Sequence, residues 1–434
     1  MHLPAASLLI FCATALGCSE APEGQPAAPE RAREEAGSDA GELDDLRALG
    51  YVSFGDPLDD EELRLGVLVH DPERVAPGLN LISNARLCRT ELVDMDGVVR
   101  HAWEESSSHW DNTVLLPDGD LLVVGRLPNE ETYESRWNAR YLLRLGWDGS
   151  ERWRRMVPVH HDVEITPAGD ILTLTYDRKL IKRVHPEAPT NNHYLSLYSA
   201  AGEELESVSL WRLLNSAPEL FTLQAIGARM HYGSPEVDLF HSNSIEWLRD
   251  AELAERDPIY GLDNILVSVR HQDTLAIVNW KEKKLVWAWG QGEISGPHDA
   301  TLLANGHILA FDNGLARGWS RVIEVDPLRR EIVWEYGVPG TGGRLDPEAP
   351  GSYFTATRGA NQRLSNGNTL ITNSVHGQVF EVTREGELVW FFQDPKLTEN
   401  NEPSVLVRAR RLEGVSLEDL EARRAAGQAL PRVD

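Results

Sequence analysis

Cysteine is scarce in this chain of 434 residues. Only Cys12, Cys18 and Cys88 are present, too few for a disulfide framework or a cysteine-rich zinc site. Basic residues are outnumbered. Lys and Arg total 42 against 68 Asp and Glu, a formal net charge of −26, so the surface has little attraction for nucleic acid phosphates or anionic lipid. Beyond the first 18 residues no apolar run is long enough to cross a bilayer. These shortages exclude nucleic acid as a partner and any membrane contact away from the N-terminus. Apolar residues still make up 41%, enough for a sizeable core, which excludes disorder of the whole chain.

The N-terminus carries the first positive signal. Leu3 to Gly17 reads as the apolar core of an export signal, with residues 1–17 as the signal peptide. Ala15, Leu16, Gly17 and Cys18 resemble the lipobox of bacterial lipoproteins, in which the cysteine thiol receives the lipid. The n-region departs from that pattern by lacking Lys and Arg, and Ala15 stands where Leu is usual. A plain secreted protein and a non-exported start are the alternatives. Ser19 rather than Asp after Cys18 points, by the usual sorting rule, to the outer membrane. The expected location is therefore periplasmic, with membrane contact only through a lipid on Cys18. Cys88 is then the one cysteine left in an oxidising compartment and reads as a small buried hydrophobe. Residues 18–62 are rich in Ala, Pro, Glu and Gly and read as a disordered tether. Within it, Glu42 to Tyr51 has helical leucine spacing and is expected to dock.

From Leu79 onward one pattern recurs. An apolar run, a turn ending in glycine and a second apolar run appear at Asp111–Gly119, His161–Gly169, His298–Gly306 and Gly359–Gly367. In each, the glycine lies eight residues after the opening position. Turn glycines between β-rich runs signal hairpins. Further strands ending in Trp follow, at Trp103, Trp153, Trp287, Trp334 and Trp390, each expected on an outer strand between sheets. Four strands per 40–60 residues is the period of a propeller. The fold is read as all-β, a six-bladed β-propeller over residues 63–415. Its units begin near Leu79, His109, His160, His241, Pro297 and Gly359, and Val405 to Arg411 closes the ring on the first. A β-sandwich leaves the Trp-ended strands in register unexplained. The unit from His161 to His241 is too long, so Leu210 to Met230 is read as a helical insertion over one mouth. Residues 416–434 read as a helical tail, with Ser416 as N-cap, Asp419 three residues on, and Leu417 and Leu420 on one face.

In a propeller the residues opening the innermost strands converge on the central channel. The opening positions here include His161, His241 and His298. Arg270 ends the strand beside the one carrying His241. Zinc is the first guest to consider for three histidines, but an arginine in contact with the ion would repel it and no clustered carboxylate accompanies the set. An oxyanion fits better. Arg offers a fixed fork of donors, protonated histidines add charge-assisted donors, and a neutral imidazole can act as nucleophile. The bland alternative is that these side chains only hydrogen-bond channel backbone and water.

These residues carry a resemblance. Phe240 to Ile245, Ser268 to Gln272, Pro297 to Ala300 and Phe311 to Gly314, with His160, His161 and Asp162 before them, resemble the bacterial arylsulfate sulfotransferase family. The similarity is strongest from His160 to Trp334. It implies an exported six-bladed propeller that moves a sulfuryl group from an aryl sulfate ester to a phenolic acceptor through a transiently sulfated histidine, with no cofactor and no metal. By position it implies His298 as nucleophile, with His161, His241 and Arg270 holding the sulfuryl oxygens. His160 is an alternative to His161. Asp299 either orients the His298 ring or, like Asp162, is structural. Larger members carry an N-terminal β-sandwich and some a cysteine pair, for which no counterpart is seen here, so acceptor choice and oligomeric state are not implied. Hydrolysis, with water as acceptor, stays open. The competing readings are a quinone-cofactor propeller dehydrogenase and a non-enzymatic binding propeller.

Overall fold

Each repeat marked by its turn glycine folds as a hairpin. Gly119, Gly169, Gly306 and Gly367 all adopt φ between +86° and +90°. The N–H of each bonds back to the carbonyl three residues earlier at 2.8–3.0 Å. That left-handed turn is open to glycine at little cost and strained for other residues. The computed structural model describes residues 64–106, 109–127, 139–231, 234–340, 343–398 and 401–432. The signal segment, the lipobox, the tether and its leucine-spaced piece lie outside the described residues.

Among the described residues, six antiparallel sheets, five of four strands and one of five, form the blades of a six-bladed β-propeller, and one two-stranded hairpin stands outside them. Blade I holds strands 78–84, 89–93 and 99–104, with 406–413 innermost. Blades II, III and IV run from 109 to 156, 159 to 209 and 242 to 289. Blade V runs from 298 to 336, and blade VI from 360 to 393. As expected, the C-terminal strand closes the ring on the first unit, with Leu79 opposite Leu412 and Leu81 opposite Arg410. A second closure is new: Gly66–His70 pairs outside Leu388–Gln393 on blade VI, so both ends of the propeller chain are sewn into blades.

The core is distributed. Six apolar clusters each lie between two neighbouring blades, such as Leu266, Ile277 and Trp287 against Ile308, Ala310 and Ile323 between IV and V. The repeated Trp joins one blade to the next. Trp103, Trp287, Trp334 and Trp390 donate their Nε1–H to the carbonyls of Gly146, Pro327, Arg384 and Met95, at 2.8–3.1 Å. Each acceptor is in the outer turn of the following blade. A buried indole thus gains apolar contact and satisfies its single donor. Cys88 is 1% exposed and sits in the cluster between blades I and II.

The insertion after blade III is helical only over Leu210–Leu214. Pro218 disfavours helix around itself, and the chain continues irregularly to a short hairpin, Arg229–His231 with Ser234–Glu236. Leu213, Leu214, Ala217 and Phe221 are buried in the cluster between blades III and IV, and Gln224 is tied to Gln272. The helix Leu417–Ala425 starts in a capping box between Ser416 and Asp419, and Leu420 is buried between blades I and II.

Two carboxylates join the blades at the axis. Asp162 of blade III accepts from the Asn112 amide of blade II, from Ile245 N–H of blade IV at 2.9 Å and from Arg408 of blade I at 3.3 Å. Asp299 of blade V accepts from Asn361 N–H of blade VI at 2.7 Å. It also pairs with Arg408 and Arg410 of blade I, at 2.9 and 2.7 Å. A cavity of about 340 Å³ adjoins this layer, lined by residues farther along the inner strands, among them Glu164, Glu246 and Thr301.

Candidate active site

The innermost strands of blades II to V each carry a register break near their opening, at Asp111, His161–Asp162, Asn243 and Asp299–Ala300. Breaks of this kind re-aim side chains. His161, His241 and Asp299 take left-handed φ of +58°, +43° and +49°, a strain that side chains at functional sites commonly carry. In blade III, His160 faces Leu174 in the ladder, as His298 faces Phe311 in blade V. Counted from the turn glycine, however, His161 is the equivalent of His298. Blade III therefore holds one extra residue in the break. His160 packs behind, buried against Tyr176 and His193 with ring centroids at 4.9 and 4.4 Å. His161 is turned toward His241, with centroids 4.8 Å apart.

His298 is held in one orientation. Its Nδ1 lies 2.7 Å from Asn313 Oδ1 and 3.0 Å from the Gly296 carbonyl. Asn313 Nδ2 donates to the carbonyls of Thr355 and Arg358 at 2.7 and 2.8 Å, which fixes Oδ1 as the atom facing the ring. Both groups at Nδ1 are acceptors, so Nδ1 carries the proton and Nε2 the lone pair. Nε2 accepts from Arg358 N–H at 3.2 Å. The carbonyl of Pro297, just before His298, is gripped by Asn243 Nδ2 and Ser268 Oγ at 3.0 and 2.8 Å.

Arg270, only 2% exposed, donates from Nη1 to His271 Nε2 at 3.0 Å. The His271 ring lies 4.7 Å from that of His241. Arg270 Cγ is 3.8 Å from where a Cβ on Gly296 would stand, which places Arg270 beside the loop that leads into His298. Asp238 gathers the other side. It accepts from His241 Nδ1 at 2.5 Å and from Arg229 at 3.0 Å, and His193 Nε2 lies 3.6 Å away.

Burial and the neighbouring Arg270 charge pull the pKa of His298 down to about 3. Burial and the neighbouring imidazole of His241 also hold His161 well below the ordinary value. Burial holds His241 down too, against the pull of Asp238. The expectation of protonated histidines is thus corrected: desolvation holds these rings neutral. Burial opposes ionisation of Asp238, but the nearby His241 and His271 outweigh it and its carboxyl lies well below the usual range.

Residues 135–394, more than half of the chain, match the family model described as arylsulfotransferase (ASST). The chain belongs to the arylsulfotransferase family. No curated protein matches it. Solved structures similar to it include a protein of unknown function from Bacteroides caccae, at 14% identity over 77% of this chain and 98% of that one, with TM-score 0.49. Another is a catalytically inactive virginiamycin B lyase from Staphylococcus aureus with quinupristin, at 9% identity over 80% of this chain and 99% of that one, with TM-score 0.42.

For an arylsulfotransferase chain, the predicted residues His161, His241, Arg270 and His298 fall into one network. Asp299 takes the structural alternative, since its carboxylate is engaged by Arg408, Arg410 and Asn361 N–H, and Asn313 holds the ring instead. Asn313 lies inside the motif Phe311 to Gly314 and Asp238 three residues before His241, but neither spacing marks a partner of the ring. Arg358 had no signal beyond preceding the repeat glycine Gly359. Asp238, His241 and His271 present donor atoms within 4.8 Å of one another, a spacing a cation could use. Arg229 and Arg270 already donate into this set, and two guanidiniums at a metal's ligands would repel it.

Proposed function

We propose that the protein transfers a sulfuryl group from an aryl sulfate ester to a phenolic acceptor through a sulfohistidine at His298. The observation that carries this reading is the fixed tautomer of His298, neutral, with Nδ1–H given to Asn313 and the lone pair on Nε2. Sulfuryl transfer, like phosphoryl transfer, is dominated by positioning and charge stabilisation. Arg270 and His161 meet the terminal oxygens. Nε2 attacks sulfur as the S–O(aryl) bond breaks and its electron pair leaves with the phenolate. His241 gives its Nδ1–H to Asp238 and takes up an exchangeable proton from solvent on Nε2 as the substrate binds. The bound anion favours its charged form. It then protonates the departing oxygen and later takes the proton of the acceptor phenol. The acceptor oxygen attacks sulfur, the N–S bond breaks, and neutral His298 returns.

We further propose that the chain is exported and anchored as an outer-membrane lipoprotein through Cys18. Loss of lipid labelling in Cys18→Ala checks this.

The deciding experiment uses 4-nitrophenyl sulfate with excess phenol. Acceptor-dependent nitrophenolate release, absent in His298→Ala, and a mass increase of one sulfuryl group on the His298 peptide are expected. Release that ignores the phenol means hydrolysis instead. Full turnover in His298→Ala removes the nucleophile assignment.

A further inference from the structure

Arg358 lies on the segment between blades V and VI, one residue before the glycine that opens the last repeat. Its N–H donates to His298 Nε2 at 3.2 Å, the nitrogen whose lone pair the transfer requires. Its guanidinium reaches two places round the ring to blade II. There Nη2 lies 2.5 Å from His109 Nε2 and 3.7 Å from Asp111 Oδ1. The side chain remains 20% exposed, so it is accessible to a small ligand.

The backbone here is fixed. Arg358 has φ of +62°, and Asn313 Nδ2 holds its carbonyl at 2.8 Å. The next N–H, of Gly359, donates to Ser374 Oγ at 2.9 Å, and a Cβ on Gly359 would strike the Phe311 ring. The N–H that meets His298 is therefore aimed by the fold. The Arg358 charge is also felt at both His298 and His161, where it opposes protonation.

We propose that Arg358 is a second catalytic arginine beside Arg270, giving its main-chain N–H and its guanidinium to the sulfuryl group. This rests on the reading of His298 as nucleophile. In the free enzyme the N–H occupies the attacking lone pair. As that pair becomes the N–S bond and the aryl oxygen leaves with the S–O pair, the N–H loses its acceptor. A sulfuryl oxygen, now bonded next to Nε2, is the acceptor that replaces it. The exchange stabilises the transferred group and not the free enzyme, which is how a hydrogen bond lowers a barrier. The guanidinium is released from His109 toward the same anion, where two charged forks neutralise more of the developing charge than one.

The test uses Arg358→Asn, which keeps the N–H and tolerates the left-handed backbone, together with Arg358→Lys. Transfer from 4-nitrophenyl sulfate to phenol, calorimetric binding of inorganic sulfate and thermal midpoint are measured. The expected result for Arg358→Asn is a loss in kcat/KM on the order of 10² and sulfate binding weakened about tenfold, with an unchanged midpoint. Arg358→Lys recovers part of both. Wild-type transfer and wild-type sulfate binding in Arg358→Asn overturn the proposal. Should Arg358→Asn unfold, Arg358→Lys decides alone: full wild-type values in both assays also overturn it. Should the native protein bind sulfate through Arg358 yet transfer nothing, the anion site stands and the sulfotransferase reading falls.

Discussion

Asn313 Oδ1 lies 2.7 Å from His298 Nδ1, and the amide cannot turn over, because its Nδ2 donates to the Thr355 and Arg358 carbonyls. One side chain thus sets the tautomer of the ring and anchors the segment that carries Arg358. Asn313→Ala frees the imidazole to rotate and to place its proton on either nitrogen. The expected loss in kcat is about 10², the scale of a misplaced reacting group, with little change in KM. Steady-state kinetics on 4-nitrophenyl sulfate separate the two. A rise in KM alone would make Asn313 a binding residue and not an orienting one.

Asp238 stands to His241 as Asn313 stands to His298, with a full charge added. Replacing it by Asn leaves the shape and removes the carboxylate that supports a protonated His241. General acid help matters most when the leaving phenol is a poor one. The loss in Asp238→Asn is expected to grow from small with 4-nitrophenyl sulfate to about 10² with unactivated phenyl sulfates. A loss that is equal across the leaving-group series would deny His241 the acid role.

These two partners show what could be read in the sequence and what could not. The ring of blades was legible because one hairpin, with its glycine eight residues from the opening position, recurs in four of the six units. The convergence of His161 and His298 followed from that repeat, and His241 joined them as the opening residue of its own unit. The orienting partners did not, since Asp238 and Asn313 reach their histidines through turns that no periodicity encodes. The His160–His161 ambiguity had a physical source. Blade III carries an extra residue in its register break, so counting from the turn and counting along the ladder name different histidines. The strand Gly66–His70 was missed because five residues at the edge of a tether-like segment give too little pattern, and it is its partner, Leu388–Gln393, that makes it a strand.

Acid should destabilise the protein before its carboxylates titrate. Burial holds His109, His298 and His376 at about 3 and His271 at about 4, against 6.5 for the free side chain. A depressed histidine favours the fold above its unfolded pKa, and that contribution is lost as pH falls from about 6.5 toward the folded value, because the unfolded chain binds the proton first. Each such ring adds up to about 1.4 kcal/mol per pH unit in that window. Asp111, held down by its His109 hydrogen bond and Arg140, and Asp238, held down by its contacts with His241, His271 and His193, both despite burial, act only below their ordinary value near 3.8. Thermal midpoints measured from pH 8 to 4 should fall steeply below 6.5. A flat profile down to pH 4 would mean that the rings are not held neutral.

The last prediction concerns the axis. Arg408 bridges Asp162 of blade III and Asp299 of blade V from the closing strand of blade I, at 3.3 and 2.9 Å. All three side chains are well covered, and Asp299 is 3% exposed as a residue. Burial opposes the Asp299 charge, but Arg408 and Arg410 outweigh it and keep its carboxyl below the usual range. Removing either partner takes one ion pair from the other in a poorly solvated place, leaving Asp299 to Arg410 or Arg408 to Asp162. Asp299→Asn and Arg408→Met are each expected to cost about 3–5 kcal/mol in urea unfolding. The double variant removes both charges at once, so its cost should fall short of the sum by about 1–3 kcal/mol. Asp162 keeps its Asn112 and Ile245 donors and limits that recovery, because its own charge then loses Arg408. Strict additivity would show that Asp299 and Arg408 contribute independently and that no coupling between their charges joins the blades.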